Sequence, residues 1–175
     1  MSVLLLENES LVVSDCIFEE NTAEKGGHLA LNVNGPSGQV SIEQCAFRHG
    51  EGDIPAVYLI NESIGTDGDR DINFASCTFE HHNGTGLHAE GEVALQLSNS
   101  TFVETGNPSI RLVSPSHAEI STSSFCGATV PITGDWTDLG GNSISDECIC
   151  PGDGNADGMV NVEDLLHLIA NFGKE

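Results

Sequence analysis

Leu11-Val12-Val13-Ser14-Asp15-Cys16-Ile17-Phe18 decides the fold, because its pattern returns four times along the chain. It reappears as Val40 to Phe47, Ile72 to Phe79, Leu95 to Phe102 and Ala118 to Phe125, at intervals that drift from 23 to 32 residues. Seven residues before each closing Phe stand Leu11, Val40, Ile72, Leu95 and Ala118; five before stand Val13, Ile42, Phe74, Leu97 and Ile120. All are apolar. Between them lie Val12, Ser41, Asn73, Gln96 and Glu119, mostly polar, so each segment alternates with the period of a half-buried strand. Two before each Phe the series runs Cys16, Cys45, Cys77, Ser100, Ser123, a column of small, weakly polar side chains.

A second strand is predicted ahead of each of these segments, at Val3 to Leu6, His28 to Val33, Ala56 to Ile60, Gly86 to Ala89 and Ser109 to Val113, with a sixth near Thr129 to Ile132. The turns between the two strands hold the residues that turn chemistry favours, as in Asn34-Gly35-Pro36-Ser37-Gly38 and Ser114-Pro115-Ser116-His117. Length varies only in those turns. A period that stretches in loops and keeps its offsets in strands is what a solenoid requires, since each coil must stack on the next at about 4.8 Å. A Greek-key sandwich also alternates, but nothing in it repeats one side-chain class at one offset five times.

Phe18-Glu19-Glu20-Asn21 followed by Gly26-Gly27 resembles the F-x-x-N and G-G-A repeats of polymorphic outer-membrane proteins, within the wider class of right-handed parallel β-helices shared with pectate lyases. The resemblance implies an all-β fold, a right-handed parallel β-helix solenoid of about five to six coils over residues 1–142, with a small loop-helix module over 143–175.

The second informative stretch is Asp153-Gly154-Asn155-Ala156-Asp157-Gly158-Met159-Val160-Asn161-Val162-Glu163-Asp164. Oxygen-bearing side chains fall at positions 1, 3, 5, 9 and 12 and Gly158 at position 6, where a loop around a hard cation turns sharply. The expected ligands for Ca²⁺ are Asp153, Asn155, Asp157, the Met159 carbonyl, Asn161 through water, and Asp164. Apolar residues at Val162, Leu165, Leu166, Leu168, Ile169 and Phe172, with Gly173 beyond, predict an amphipathic helix after the loop. Loop and helix resemble one half of a type I dockerin, which implies calcium and a cohesin-like or cell-surface partner. Trp136 to Asn142 and Cys148-Ile149-Cys150-Pro151 are similar to the junction ahead of single dockerin-like modules in large secreted repeat proteins. That implies the C-terminal part of a longer exported protein, at the cell surface or outside the cell, and accounts for the lack of a basic start and cleavage site in Met1 to Leu6.

Five Lys and Arg against 27 Asp and Glu leave a net charge of −22, which repels phosphate backbones and anionic membranes. No nucleic acid and no membrane span are therefore expected. Among further clusters, Asp67-Gly68-Asp69-Arg70-Asp71 reads as a solvated turn, because Ile72 and Thr78 stand where a calcium loop needs Gly and a carboxylate. His81, His82 and His88 straddle a strand boundary and match no metal spacing. Lyase chemistry needs basic groups beside the substrate, and Lys25, Arg48, Arg70 and Arg111 fall in different coils. Cys16, Cys45 and Cys77 are expected as buried free thiols, while Cys126, Cys148 and Cys150 lie where a disulfide can tie the module to the last coil. The function that follows is a non-catalytic secreted or cell-surface β-helix, structural or adhesive, contacting polysaccharide. The alternative is a fragment of a polysaccharide lyase or hydrolase acting on acidic polysaccharide.

Overall fold

The computed structural model describes residues 2–5, 9–21, 26–33, 38–62, 70–148 and 162–172. Each coil holds three strands rather than two. The first coil is β1 (Ser2–Leu5), β2 (Leu11–Ser14) and β3 (Ile17–Glu19); the second is β4 (Leu29–Val33), β5 (Val40–Glu43) and β6 (Ala46–Arg48). The third is β7 (Val57–Asn61), β8 (Arg70–Ala75) and β9 (Thr78–Glu80), and the fourth is β10 (Leu87–Gly91), β11 (Val93–Ser98) and β12 (Thr101–Val103). The fifth is β13 (Ile110–Val113), β14 (His117–Ser121) and β15 (Ser124–Cys126), and the last is β16 (Ile132–Thr133), β17 (Asp135–Asp138) and β18 (Ser143–Ser145). Like strands pair in parallel from coil to coil, giving three six-stranded sheets in the orders β1-β4-β7-β10-β13-β16, β2-β5-β8-β11-β14-β17 and β3-β6-β9-β12-β15-β18.

The extra corner has a local cause. Three residues before each Phe, Asp15, Gln44, Ser76, Asn99 and Thr122 adopt left-handed φ values of 46 to 56°. That bend splits the predicted single strand in two. The conformation is unfavourable for residues with a Cβ, most of all for β-branched Thr122. It is offset by pairing: each corner N–H donates to the next coil, as in Gln44 to the Ala75 carbonyl at 2.9 Å and Ser76 to the Ser98 carbonyl at 3.0 Å.

The interior is a set of stacks. Phe18, Phe47, Phe79, Phe102 and Phe125 lie face to face with centroids 4.4 to 5.0 Å apart and planes within 17°. Phe79 is 0% exposed, and Ile42, Phe74, Ile120, Ile72 and Val40 are buried beside the ladder. Phe18, in the first coil, is only partly buried.

The small-residue column is hydrogen-bonded as well as packed. Ser100 Oγ donates to the Ser98 carbonyl at 2.9 Å and accepts the Cys77 N–H at 3.1 Å; Ser123 does the same for Ser121 and the Ser100 N–H. Asn142 Oδ1 accepts the Ser123 N–H at 2.9 Å and continues the column into a sixth coil. In that coil Ile144 pairs with Phe125 and Trp136 with Ala118. β17 and β18 thus make a further coil, and strand pairing runs past residue 142 to Ser145.

Cys45 and Cys77 are buried and free, Cys16 is free and partly exposed, and Cys126 is bonded to Cys148. The disulfide closes a 22-residue separation and ties the segment after the last strand to β15. Cys150 lies outside the described residues. One helix follows, α1 (Val162–Asn171). Among the described residues no helix is long and apolar enough to cross a membrane.

Candidate functional site

Because side chains alternate along each strand and coils stack in register, every outward position becomes a column on a flat face. On the second sheet one such column is Val12, Ser41, Asn73, Gln96, Glu119 and Thr137. A cleft of about 260 Å³ opens across it, lined by Gln39, Ser41, Asp71, Asn73 and Gln96 over a floor of Val40 and Ile72. Within it Asn73 Nδ2 donates to Ser41 Oγ at 3.5 Å. Amides and hydroxyls dominate, so the cleft offers donors and acceptors with little charge and suits a hydroxyl-rich ligand.

The outer face of the first sheet is more chemical. Tyr58, His88 and Arg111 occupy matched positions on β7, β10 and β13, which puts them on successive rungs. Tyr58 Oη donates to Glu90 Oε2 at 2.8 Å, and His88 Nε2 lies 3.0 Å from Glu90 Oε1. Burial, with the Glu90 carboxylate second, pushes the Tyr58 phenol up to about 12, so it is protonated at neutral pH. Burial also lowers His88 below the usual histidine value, and this outweighs the opposing pull of Glu90. The face therefore carries a neutral imidazole, a phenol that can give up a proton only to a strong base, and a guanidinium.

Two further histidine pairs arise from stacking. His28 and His82 are buried, with rings edge to face at 5.0 Å. His82 accepts the Gly50 N–H at 3.1 Å through Nδ1 and donates from Nε2 to the Phe47 carbonyl at 3.0 Å. His49 and His81 are exposed and stack outside at 5.2 Å with planes 10° apart. They border a shallow cleft of about 550 Å³ together with Glu20, Gly50, Glu51 and Asn83.

Of the residues singled out in the sequence, Asp153, Asn155, Asp157, Met159 and Asn161 lie outside the described residues. Asp164 falls in α1, which opens at Val162. His81, His82 and His88 do not meet: His81 faces out, His82 faces in, and His88 is on another sheet. Among the described residues no three His, Cys, Asp or Glu side chains already converge on a metal position. Asp67 to Asp69 are not described, but Arg70 is buried at the head of β8, donating to the Glu9 carbonyl, where a solvated turn is expected. Arg48, Arg70 and Arg111 belong to three different sheets, so these three stay apart; Lys25 lies outside the described residues. The His49 and Tyr58–His88 groupings escape a search among sequence neighbours; they are visible only when the coils are superimposed.

A family model described as a right-handed β-helix region matches residues 3–125. No curated protein and no solved structure matches the chain.

Proposed function

The chain belongs to the right-handed β-helix family, and from that premise we propose that it works as a non-catalytic surface outside the cell, presenting its flat sheet faces to polysaccharide. The observation that supports this reading is the amide- and hydroxyl-lined cleft on the second sheet, flanked by Asn73, Ser41 and Gln96, on a face that repeats at every rung. Retention on insoluble neutral polysaccharides and a glycan array test it. Binding that falls at least tenfold in an Asn73→Ala, Gln96→Ala double variant is expected; no retention on any glycan, or retention unchanged in the variant, overturns it.

The C-terminal module completes the proposal. Asp153, Asn155, Asp157, Met159, Asn161 and Asp164 hold Ca²⁺ through oxygen donors alone, which is the chemistry a hard cation takes. Asp153, Asp157, Glu163 and Asp164 repel one another without it, so metal binding and ordering of the module form one equilibrium. The ordered module attaches the solenoid to a cohesin-like or cell-surface protein. Calorimetry is expected to give one strong calcium site per chain, lost in Asp157→Ala; no uptake at millimolar Ca²⁺ rejects the module's role.

A second reading is favoured by Tyr58, His88 and Arg111 on successive rungs. In β-elimination on an acidic polysaccharide, Arg111 neutralises the uronate carboxylate, neutral His88 takes the adjacent ring proton, and the Tyr58 phenol protonates the departing oxygen. The reading ranks second because a chain of net charge −22 repels such a polymer. Ultraviolet absorbance of an unsaturated product, abolished in His88→Ala, is its signature.

A further inference from the structure

The corner that follows the third sheet encloses a buried imidazole pair, His28 and His82, and from it we propose an acid-released latch: protonation of His82 frees the loop over residues 50–55 from the next coil. The device is independent of the polysaccharide and calcium readings. The left-handed corner residues Glu20, His49, His81 and Glu104 are followed by Asn21, Gly50, His82 and Thr105, which share one position in four successive coils. Gly50 makes room for its neighbour: a Cβ there would lie 2.4 Å from His82 Nδ1 and 3.4 Å from His28 Nε2. The His82 ring fills that space, edge to face with His28 at 5.0 Å. Beyond Gly50 the loop residues Glu51, Gly52 and Asp53 are exposed. His49 N–H donates to the Glu80 carbonyl and Ala56 N–H to the Thr85 carbonyl. Between them, among the described residues, the one hydrogen bond that ties the backbone to the next coil is that from Gly50 N–H to His82 Nδ1, at 3.1 Å.

The hydrogen bonds fix both tautomers. A carbonyl only accepts, so His82 carries its proton on Nε2, 3.0 Å from the Phe47 carbonyl, and turns the Nδ1 lone pair to Gly50. His28 Nδ1 accepts from Asn21 Nδ2 at 3.1 Å, and its Nε2–H faces the Arg48 carbonyl. A second proton affects the two rings differently. The Asn21 amide can turn its oxygen to a His28 Nδ1–H, whereas the Gly50 N–H has no acceptor to offer, so protonated His82 sets two donors against each other and must part from Gly50. The carboxylates around the corner are engaged elsewhere: Glu80 with Arg48 at 3.1 Å, Glu104 with His81 at 2.7 Å, and Glu20 and Glu51 along the outer cleft, while Asp53 is exposed. His49, His81 and the chain's amino group oppose positive charge on the inner pair. Burial, first of all, holds both inner imidazoles below the ordinary value of 6.5, so the opened loop takes up the proton before the closed one and acid drives the opening. Gly50 and Glu51 also border the cleft of about 550 Å³, which their release reshapes.

The test is amide hydrogen exchange of the full chain between about pH 7.5 and about pH 4.5, with each rate normalised to its intrinsic value at that pH. Below the ordinary histidine value, protection at Gly50 is expected to fall by about tenfold per pH unit for each imidazole that opening exposes, while the Leu59 and Phe102 amides in the strands keep theirs. His82→Gln supplies the control, because its amide oxygen can accept the Gly50 N–H and its nitrogen can donate to the Phe47 carbonyl, yet it does not titrate. Gly50 protection in H82Q is expected to stay level across the range. Should that variant not fold, the His82 ring-proton resonance of the wild type is the second readout, and its titration is expected to follow the loss of Gly50 protection. Level protection at Gly50 in the wild type, the same fall in H82Q, a loss shared equally by Leu59 and Phe102, or a His82 ring that titrates while Gly50 stays protected would each overturn the latch.

Discussion

Two regions of the molecule carry the same signal, apolar side chains at regular spacing, and meet opposite fates. In the solenoid Phe47, Phe79 and Phe102 are 0% exposed. Leu165, Leu166 and Ile169 of α1, with Phe172 just beyond its end, are 54 to 86% exposed. Intrinsic hydrophobicity does not separate them. A strand in a repeat finds the same side chain one rung above and one below, so each apolar position brings its own partner. The ten-residue helix has no such neighbour among the described residues, and its stripe is stabilised only by what packs against it. Repetition converts a local pattern into a core.

The sharpest way to break this contrast is to cut the ladder in its middle. Phe79 stacks on Phe47 at 4.9 Å and on Phe102 at 4.4 Å, so Phe79→Ala removes two ring contacts and leaves a cavity between coils. A loss of about 3–5 kcal/mol is expected in chemical denaturation. A loss below about 1 kcal/mol would mean that the coils collapse onto the gap and that the ladder is not the core's main support.

The border between the two regions is the Cys126–Cys148 bond. Closing a loop of that size stabilises by about 3 kcal/mol through the entropy of the unfolded chain. Cys148→Ser is expected to lower stability by about that amount, with the loss of amide protection confined to the last coil, as nearest-neighbour stability in a solenoid requires. Alkylation of native protein checks the other thiols. Burial pushes Cys77 up to about 11, so it and Cys45 label only after unfolding, whereas the partly exposed Cys16 labels in the native state.

The ladder and its companions at offsets five and seven are legible because one side-chain class recurs at one offset, and that is enough to fix which face turns inward. The corner at Asp15, Gln44, Ser76, Asn99 and Thr122 is not, because only Asp and Asn favour left-handed backbone; Thr disfavours it. The last coil is hidden by substitution: Ile144 replaces Phe and Asn142 replaces the Cys or Ser of the column, and Trp136 fills the place of Ala118. The candidate sites are hidden for another reason. Residues 32 apart become neighbours at one rung's distance, so Tyr58 meets Glu90 and His49 meets His81 across gaps that a scan along the chain never joins. Arg70 has no signal at all, since its burial depends on the backbone of Gly38 and Glu9 closing over it.

The solenoid interior also holds buried titratable groups, His28 and His82 among them. His28 is lowered to about 4, first by burial and then by the facing His82, against a small opposing pull from the Arg48 carbonyl. The unfolded chain takes up a proton at the ordinary value of 6.5 while the folded chain does not until about 4, so stability falls as pH drops through that window and levels below it. The contribution is about 3 kcal/mol. Acid also relieves the repulsion of a net charge of −22, which masks the loss in the raw curve. The comparison to make is therefore wild type against His28→Gln, whose acid sensitivity between those two pH values is expected to be roughly half as large. Equal slopes would place His28 in contact with water in solution.

The smallest effect is expected where the apolar signal is strongest to the eye. Leu166 stands in the stripe of α1 at 59% exposure, and Leu166→Ala replaces it with the best helix former. With no partner among the described residues, Leu166 returns little apolar area to water on truncation, and the change in global stability should stay within about 0.5 kcal/mol. Phe172→Ala, at 86% exposure, should behave alike. Both variants are measured with and without Ca²⁺ and at two protein concentrations, because each condition asks for a different partner. A cost above about 1 kcal/mol that appears only with Ca²⁺ would put the stripe against the ordered loop. One that grows with concentration would put it against a second copy of the chain. In either case the helix would have gained from outside what the solenoid obtains from its own repeats, and the two regions would differ in the source of their partner rather than in having one.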